Sequence, residues 1–127
     1  MAELQAQGID AFGVQGDVRS FESCTAGAKA VHEHFGRLDF LINNAGISNP
    51  DHPVEPCLST EVDMLKTVFE TNVAGPMQVT QAFLPLFEKS EVKKLVFINS
   101  IAGSVGKMKA EKRTLALQYG QAQAEVV

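Results

Sequence analysis

The sequence is poor in the residues that mark several specialised classes of protein. It has only two cysteines among 127 residues, Cys24 and Cys57, and these supply neither a disulfide framework nor a metal-ligand cluster. A reducing, cytoplasmic setting is therefore the default expectation. No apolar run approaches the roughly 18 residues that suggest a membrane span, and the polar stretch from Met1 to Gly8 is unlike a signal peptide. We expect neither a membrane partner nor a bound metal.

Positive charge is also scarce. Eleven Lys and Arg residues stand against fifteen Asp and Glu residues, which gives a formal net charge of −4. This balance gives no reason to expect a polyanionic partner such as nucleic acid. What remains is an ordinary globular composition, with 45% hydrophobic and 20% charged residues, in a length that fits one domain.

Three short apolar runs have the character of β-strands, at residues 9–15, 38–43 and 95–99. Nearly continuous apolar runs flanked by turn residues are typical of strands that are buried on both faces of a parallel sheet. Helical stretches separate the three runs. This alternation predicts an α/β fold in which a doubly wound parallel sheet is connected by right-handed crossovers.

The helical stretches have recognisable ends. A short helical tail before residue 9 should end at Gly8. The next helix should start after Ser20 as N-cap and end before Gly36, because its apolar residues recur at three- and four-residue steps: Phe21, Cys24, Ala28, Val31 and Phe35. Cys24 is thus interpreted as core. Residues 60–87 predict a further helix with a break at Gly75-Pro76.

Five segments, in order, resemble the short-chain dehydrogenase/reductase family. Asn43-Asn44-Ala45-Gly46 is similar to the family's NNAG motif, and Gly16-Asp17-Val18 resembles the turn that holds the adenine ring. The others are the asparagine segment 71–76, the serine strand end 98–103, and Tyr119 with the start of its helix. The resemblance implies that residues 1–127 are a single, partial NAD(P)-binding Rossmann-fold domain. Its substrate would be a small-molecule carbonyl or alcohol, and its cofactor NAD or NADP.

The resemblance also implies roles for particular residues. Tyr119 would exchange a proton with the substrate oxygen, and Ser100 would stabilise the charge that develops on that oxygen. Asn72 would hold a helix bend and a water molecule for proton relay. Cofactor contacts would come from the turn at Asp17 and Val18 and from the loop residues Asn44, Ala45 and Gly46.

Three of these assignments also have structural alternatives. For Tyr119 the alternative is an ordinary aromatic residue at the start of a helix. Asp17, beside the backbone N–H of Val18, can pair with both the donor and the acceptor edge of adenine, or it can merely shape a turn. The segment 43–46 can let backbone approach a ligand closely at Gly46, or it can be a turn that supports the neighbouring strand. The two readings of the 43–46 segment are not exclusive.

The sequence departs from the family pattern in three ways. The link from Ser100 to Tyr119 is longer than in many relatives, and its basic run, Lys107, Lys109, Lys112 and Arg113, could contact a phosphate-bearing substrate or form a solvated loop. Gln123 stands where the family has a lysine, and a neutral amide cannot stabilise a phenolate by charge. No glycine-rich G-x-G-x-x-G segment is present. The resemblance therefore implies a truncated member whose sheet would be incomplete, with strands 1 and 2 and the C-terminal strands missing. Residues 9–15 would then lack a native neighbour. In intact relatives the Tyr119 helix and the helix after Asn72 usually form a homo-oligomer contact.

The leading hypothesis is an oxidoreductase that interconverts an alcohol and a carbonyl. The alternative is a non-catalytic binding protein derived from the same family, which Gln123 and the absent glycine-rich loop favour. Ser100, Tyr119 and Asn72 favour an enzyme. A signalling receiver-type domain comes last, because Asp17 stands alone where that class needs an acidic cluster. We expect no tight NAD(P) binding by this chain alone.

Overall fold

The computed structural model describes residues 2–48 and 61–100. In chain order its elements are helix α1 (Ala2–Ala6), helix α2 (Phe21–Phe35), strand β1 (Phe40–Asn43), helix α3 (Val62–Phe69), a π-helical turn (Glu70–Ala74), helix α4 (Gly75–Phe87) and strand β2 (Lys94–Phe97). This is the incomplete α/β fold that the sequence predicts. None of the helices in these two ranges has both the length and the hydropathy needed to cross a bilayer.

Strands β1 and β2 form a parallel pair, in register from Phe40 opposite Lys94 to Asn43 opposite Phe97. One backbone hydrogen bond extends the pair at each end, from Lys94 N to Asp39 O and from Ile98 N to Asn43 O. The α3, π-turn and α4 segment provides the crossover between the strands. The second and third predicted strands are therefore confirmed, and their carboxyl ends lie at the same edge of the sheet.

The prediction of a strand over residues 9–15 is wrong, because this segment joins no sheet among the described residues. In a doubly wound sheet the corresponding strand pairs with a neighbour other than β1. Its side chains pack against α2 instead. Phe12 stacks on His34 with ring centroids 4.3 Å apart, and Val14 lies beside Gly27. Between this segment and β1 lies a cavity of about 690 Å³.

Helix α2 has the predicted caps. The Ser20 hydroxyl accepts a hydrogen bond from Ser23 N at 3.2 Å, which satisfies a backbone donor of the first turn. Gly36 adopts a left-handed conformation with φ of 77° and donates its N–H to His32 O. Gly8, after α1, is left-handed as well, with φ of 74°.

The core lies mainly between α2 and α4, with further packing under α3. Its buried apolar side chains are Cys24, Ala28, Val68, Leu86 and Phe87. The interpretation of Cys24 as core is confirmed, and its burial raises the pKa of the thiol. The helical stretch expected over residues 60–87 is present from Val62 onwards.

Candidate functional site

Asn72 is the most buried polar side chain near the carboxyl edge of the described sheet, at 2% exposure. Its amide makes two hydrogen bonds to one residue of the loop that follows β1. Oδ1 accepts from Ile47 N and Nδ2 donates to Ile47 O, both at 2.8 Å. The two bonds join that loop to the crossover helix, and a Cβ on Gly46 would lie 3.5 Å from Asn72 Oδ1.

A local change in helix type places Asn72 in this position. The predicted break at Gly75-Pro76 is present as an interruption of the regular helix: the π-helical turn Glu70–Ala74, which contains Asn72, ends where α4 begins at Gly75. Gly75 N donates to Glu70 O across this turn, and such turns recur at functional sites. Pro76 lies at the start of α4, where its missing N–H removes no intrahelical bond. Both Thr71 and Asn72 are buried.

Of the two asparagines at the carboxyl end of β1, Asn43 is buried and Asn44 is exposed. Asn43 is buried and donates from Nδ2 to Thr80 Oγ1 at 3.3 Å, which ties the end of β1 to α4. This contact fits the structural reading of Asn43. Asn44, Ala45 and Gly46 are exposed beyond the strand end.

Ser100 follows the end of β2 and is half-buried. Since β1 and β2 run parallel and end level with each other, Ser100 and the loop from Asn44 to Gly46 emerge at one edge of the sheet. Tyr119 and Gln123 lie outside the described residues.

The predicted adenine-side turn is a compact structure built on Asp17. Asp17 N donates to Ser23 Oγ at 2.9 Å, and Ser20 N donates to Asp17 O at 3.1 Å. The turn-shaping reading of Asp17 therefore has direct support. Its neighbour Val18 packs against the start of α4 so closely that a Cβ on Gly75 would come within 2.9 Å of Val18 Cγ2. The turn thereby adjoins the π turn that carries Asn72.

Asp17 has a charged partner that the sequence reasoning missed, Arg19. The guanidinium donates from Nε to Oδ1 at 3.2 Å and from a terminal nitrogen to Oδ2 at 3.1 Å. Arg19 N also donates to Oδ1 at 2.9 Å. These contacts hold the pKa of the Asp17 carboxyl below its usual range, because they favour the charged form. The signal available in the sequence was an arginine two residues after an aspartate in a turn.

Val18 contributes the other polar group of this turn. Across residues 2–48 and 61–100 no acceptor takes a hydrogen bond from Val18 N. The turn therefore presents a backbone donor beside a carboxylate acceptor. A base with an amino group next to a ring acceptor nitrogen, such as adenine, has the matching pair of groups.

Comparisons with known proteins agree on one family. A family model described as short chain dehydrogenase matches residues 1–111. An uncharacterized oxidoreductase of Schizosaccharomyces pombe is 40% identical over 90 residues, which are 71% of this chain and 34% of that protein. The 3-oxoacyl-acyl-carrier-protein reductase of Staphylococcus aureus is 32% identical over 104 residues, which are 82% and 41% of the two chains.

A solved structure gives the same result for the fold. The crystal structure of an NADPH-bound carbonyl reductase from chicken fatty liver matches with a TM-score of 0.85 at 28% identity. The match covers 98% of this chain and 52% of that one. The chain thus spans about a third to a half of the length of these relatives.

Proposed function

The chain belongs to the short-chain dehydrogenase family, and from this premise we propose that it is the central part of an NAD(P)-dependent oxidoreductase that interconverts an alcohol and a carbonyl. The observation that carries the proposal is the junction made by Asn72. Its paired bonds to Ile47 hold the loop after β1 against the crossover helix. The exposed loop residues and Ser100 therefore share the edge of the sheet where ligands of such folds bind.

The cofactor contacts follow from the groups left available at that edge. Asp17 and Val18 would hold the adenine ring through the carboxylate and the backbone N–H. Asn44, Ala45 and Gly46 would lie along the cofactor beyond the end of β1. When bound, the nicotinamide supplies the hydride chemistry itself. The NADPH bound to the chicken carbonyl reductase supports a nicotinamide cofactor and leaves NAD and NADP both open here.

The protein's own part in the reaction is to hold the substrate oxygen and move a proton. Ser100 would donate a hydrogen bond to that oxygen, and Tyr119 would exchange the proton. Asn72 would act as a positioning residue through the π turn. Gln123 stands where the family has a lysine, and a neutral amide at that position cannot stabilise the phenolate of Tyr119 by charge. Carbonyl reduction, which needs the protonated phenol, should be retained better than alcohol oxidation.

Two measurements test the proposal. Calorimetric titration of this chain with NADH and NADPH should give no sub-micromolar affinity. The chain should then be preceded by a glycine-rich strand-loop-helix segment and assayed for NAD(P)H oxidation against small aldehydes and ketones. We expect activity there that Tyr119→Phe removes and Gln123→Lys raises. If the lengthened protein binds no dinucleotide, or if Tyr119→Phe leaves its turnover unchanged, the non-catalytic alternative replaces the proposal.

A further inference from the structure

Arg19 occupies a particular part of the Asp17 carboxylate. Its backbone N–H and its Nε both donate to Oδ1, at 2.9 and 3.2 Å, while one terminal nitrogen donates to Oδ2 at 3.1 Å. The two oxygens together have about four lone-pair positions. Oδ1 has used both of its positions and Oδ2 has used one. Within the described ranges, a single acceptor position therefore remains, on Oδ2.

The turn that carries this carboxylate is fixed on both sides. Asp17 N is bound to Ser23 Oγ at 2.9 Å, and the carbonyl of Arg19 accepts a bond from Gln78 Nε2 of α4 at 3.5 Å. Val18 N, next to the carboxylate, donates to no acceptor in the described part of the chain. The backbone donor is thus held in place, but the exposed Asp17 side chain could still rotate. Of the residues that the structure describes, Arg19 alone restrains both carboxylate oxygens.

We propose that Arg19 is a positioning residue for base recognition: by holding the Asp17 carboxylate at two points, it keeps the remaining Oδ2 acceptor beside the Val18 N–H and so selects a 6-aminopurine over a 6-oxopurine. This inference rests on the proposed function, in which Asp17 and Val18 receive the adenine ring. Adenine offers an amino donor next to an acceptor nitrogen. Hypoxanthine offers the reverse order, so its carbonyl oxygen would face the carboxylate and its ring N–H would face the Val18 N–H.

The shape of the arginine side chain matters for this role. A guanidinium is planar and binds both oxygens of a carboxylate side by side, which fixes the carboxylate plane. A lysine at the same position supplies one ammonium group, which can contact the carboxylate without fixing its plane. Arg19→Lys should therefore keep the charge and lose part of the selectivity. Arg19→Ala should lose the restraint altogether.

The test uses the full chain and two mononucleotides, AMP and IMP, which differ at the 6-position of the base. Two-dimensional NMR titrations follow the backbone amides of residues 17–20 up to millimolar nucleotide. We expect AMP to shift the Val18 amide and to bind at least about tenfold more tightly than IMP, because both hydrogen bonds to adenine are replaced by like-polarity contacts. The preference should fall to within about twofold in Arg19→Ala and lie between these values in Arg19→Lys.

Arg37→Ala is the matched control. Arg37 pairs with Asp39 across the same two-residue spacing, with Nε 3.3 Å from Oδ1, so its removal also breaks an exposed ion pair. That variant should keep the full preference for AMP. A purely structural effect of losing an arginine would appear in both variants, whereas an effect on base selection appears only at Arg19.

The outcomes separate this inference from the proposed function. If AMP shifts the Val18 amide but Arg19→Ala keeps the tenfold preference, Arg19 has no positioning role while the adenine site stands. If Arg19→Ala binds AMP more tightly, Arg19 obstructs the base, and the inference is overturned in the same way. If neither nucleotide shifts residues 17–20, both the inference and the adenine assignment fail.

Discussion

At the scale of single residues, Asn72 has the largest structural consequence, because it satisfies both backbone groups of Ile47. Asn72→Ala leaves that N–H and C=O without their partner, so we expect a loss of about 1–3 kcal/mol in the free energy of unfolding. Asn72→Asp should cost at least as much near neutral pH, since it removes the donor and places a charge at a position that is 2% exposed.

The free energy of unfolding of both Asn72 variants is measured by urea denaturation, with Gln81→Ala on the exposed face of α4 as the control. The free energy of unfolding of the control should lie within about 0.5 kcal/mol of that of the unchanged protein. An Asn72→Ala variant that matches the control would show that the loop after β1 does not depend on this side chain.

Asp39 makes a pH-dependent contribution to the free energy of unfolding, and the sign of that contribution follows from its pKa. The Ser90 hydroxyl donates to Asp39 Oδ1 and, together with Arg37, holds the pKa of Asp39 below its usual value of 3.8. A folded-state pKa below the unfolded one stabilises the protein above the unfolded value, and this stability is lost as the pH falls through the folded value. We therefore expect Ser90→Ala to destabilise more at neutral pH than in acid.

The free energies of unfolding of the unchanged protein and of Ser90→Ala are measured from about pH 7 to about pH 2. The two curves should converge as Asp39 becomes protonated. Some difference remains in acid, because Ser90 Oγ also accepts from Val92 N. Exposed Ser48→Ala is the control and should run parallel to the unchanged protein. Parallel curves for Ser90→Ala would mean that its hydroxyl does not stabilise the ionised form of Asp39.

Local spacing made some residues of the site predictable and left others hidden. Asn44 and Ser100 follow the runs that became β1 and β2, so the sheet topology alone brings them to one edge, whereas the role of Asn72 was predicted from the family resemblance. Arg19 and Thr80 were missed because their importance depends on a side-chain direction or a distant contact, such as the bond from Asn43 to Thr80 across 37 positions.

At the scale of elements, the contact between the Asp17 turn and the start of α4 depends on a missing side chain. A Cβ on Gly75 would lie 2.9 Å from Val18 Cγ2 and 3.2 Å from Val18 Cβ. Alanine is the better helix former by up to about 1 kcal/mol, but here the clash should dominate and destabilise by about 1–3 kcal/mol. Val18→Ala should relieve most of the clash, because it removes Cγ2 and keeps Cβ.

A double-mutant cycle with Gly75→Ala and Val18→Ala checks this contact by urea denaturation. We expect the double variant to lose less free energy of unfolding than the sum of the losses in the two single variants, by at least about 0.5 kcal/mol. Gly27→Ala is the matched control in α2, because its Cβ would meet Val14 at an ordinary 3.6 Å; it should be neutral or stabilising. Additive effects of Gly75→Ala and Val18→Ala would contradict the proposed contact.

Elements were predictable where the chain supplies their partners. The runs that became β1 and β2 hydrogen-bond to each other, and α2 carries its own caps at Ser20 and Gly36. The run at residues 9–15 has a similar apolar character, but a strand also needs a neighbouring backbone, and the family resemblance already implied that this run would lack one. The irregularity in the helix was predictable from Pro76 and from the bend implied at Asn72. Its π-helical form was not, because the displaced hydrogen bond from Gly75 N to Glu70 O leaves no signal in the sequence.

At the scale of the whole molecule, the described residues leave much apolar surface uncovered. On one face of the sheet Phe40, Ile42, Val96 and Ile98 are exposed, with Ile42 at 58%. Phe12 and Val14, also exposed, line the cavity beside β1. Contiguous apolar surface of this kind usually marks a face that another element covers, and a sheet of two strands is only marginally stable by itself.

We therefore expect the chain to bind the dye 8-anilinonaphthalene-1-sulfonate without denaturant, and the amides of β1 to exchange with solvent faster than those of α2.

Ile42→Thr should lower the dye fluorescence while changing the free energy of unfolding by no more than about 0.5 kcal/mol, because an exposed side chain contributes little packing. Val68→Thr should do the opposite, since Val68 is fully buried. It should raise dye binding and destabilise, because it replaces a fully buried methyl group with a polar hydroxyl. If the unchanged chain gives no dye signal and β1 is as well protected as α2, the exposed sheet face is covered in solution, for example by a second copy of the chain, which sedimentation would detect.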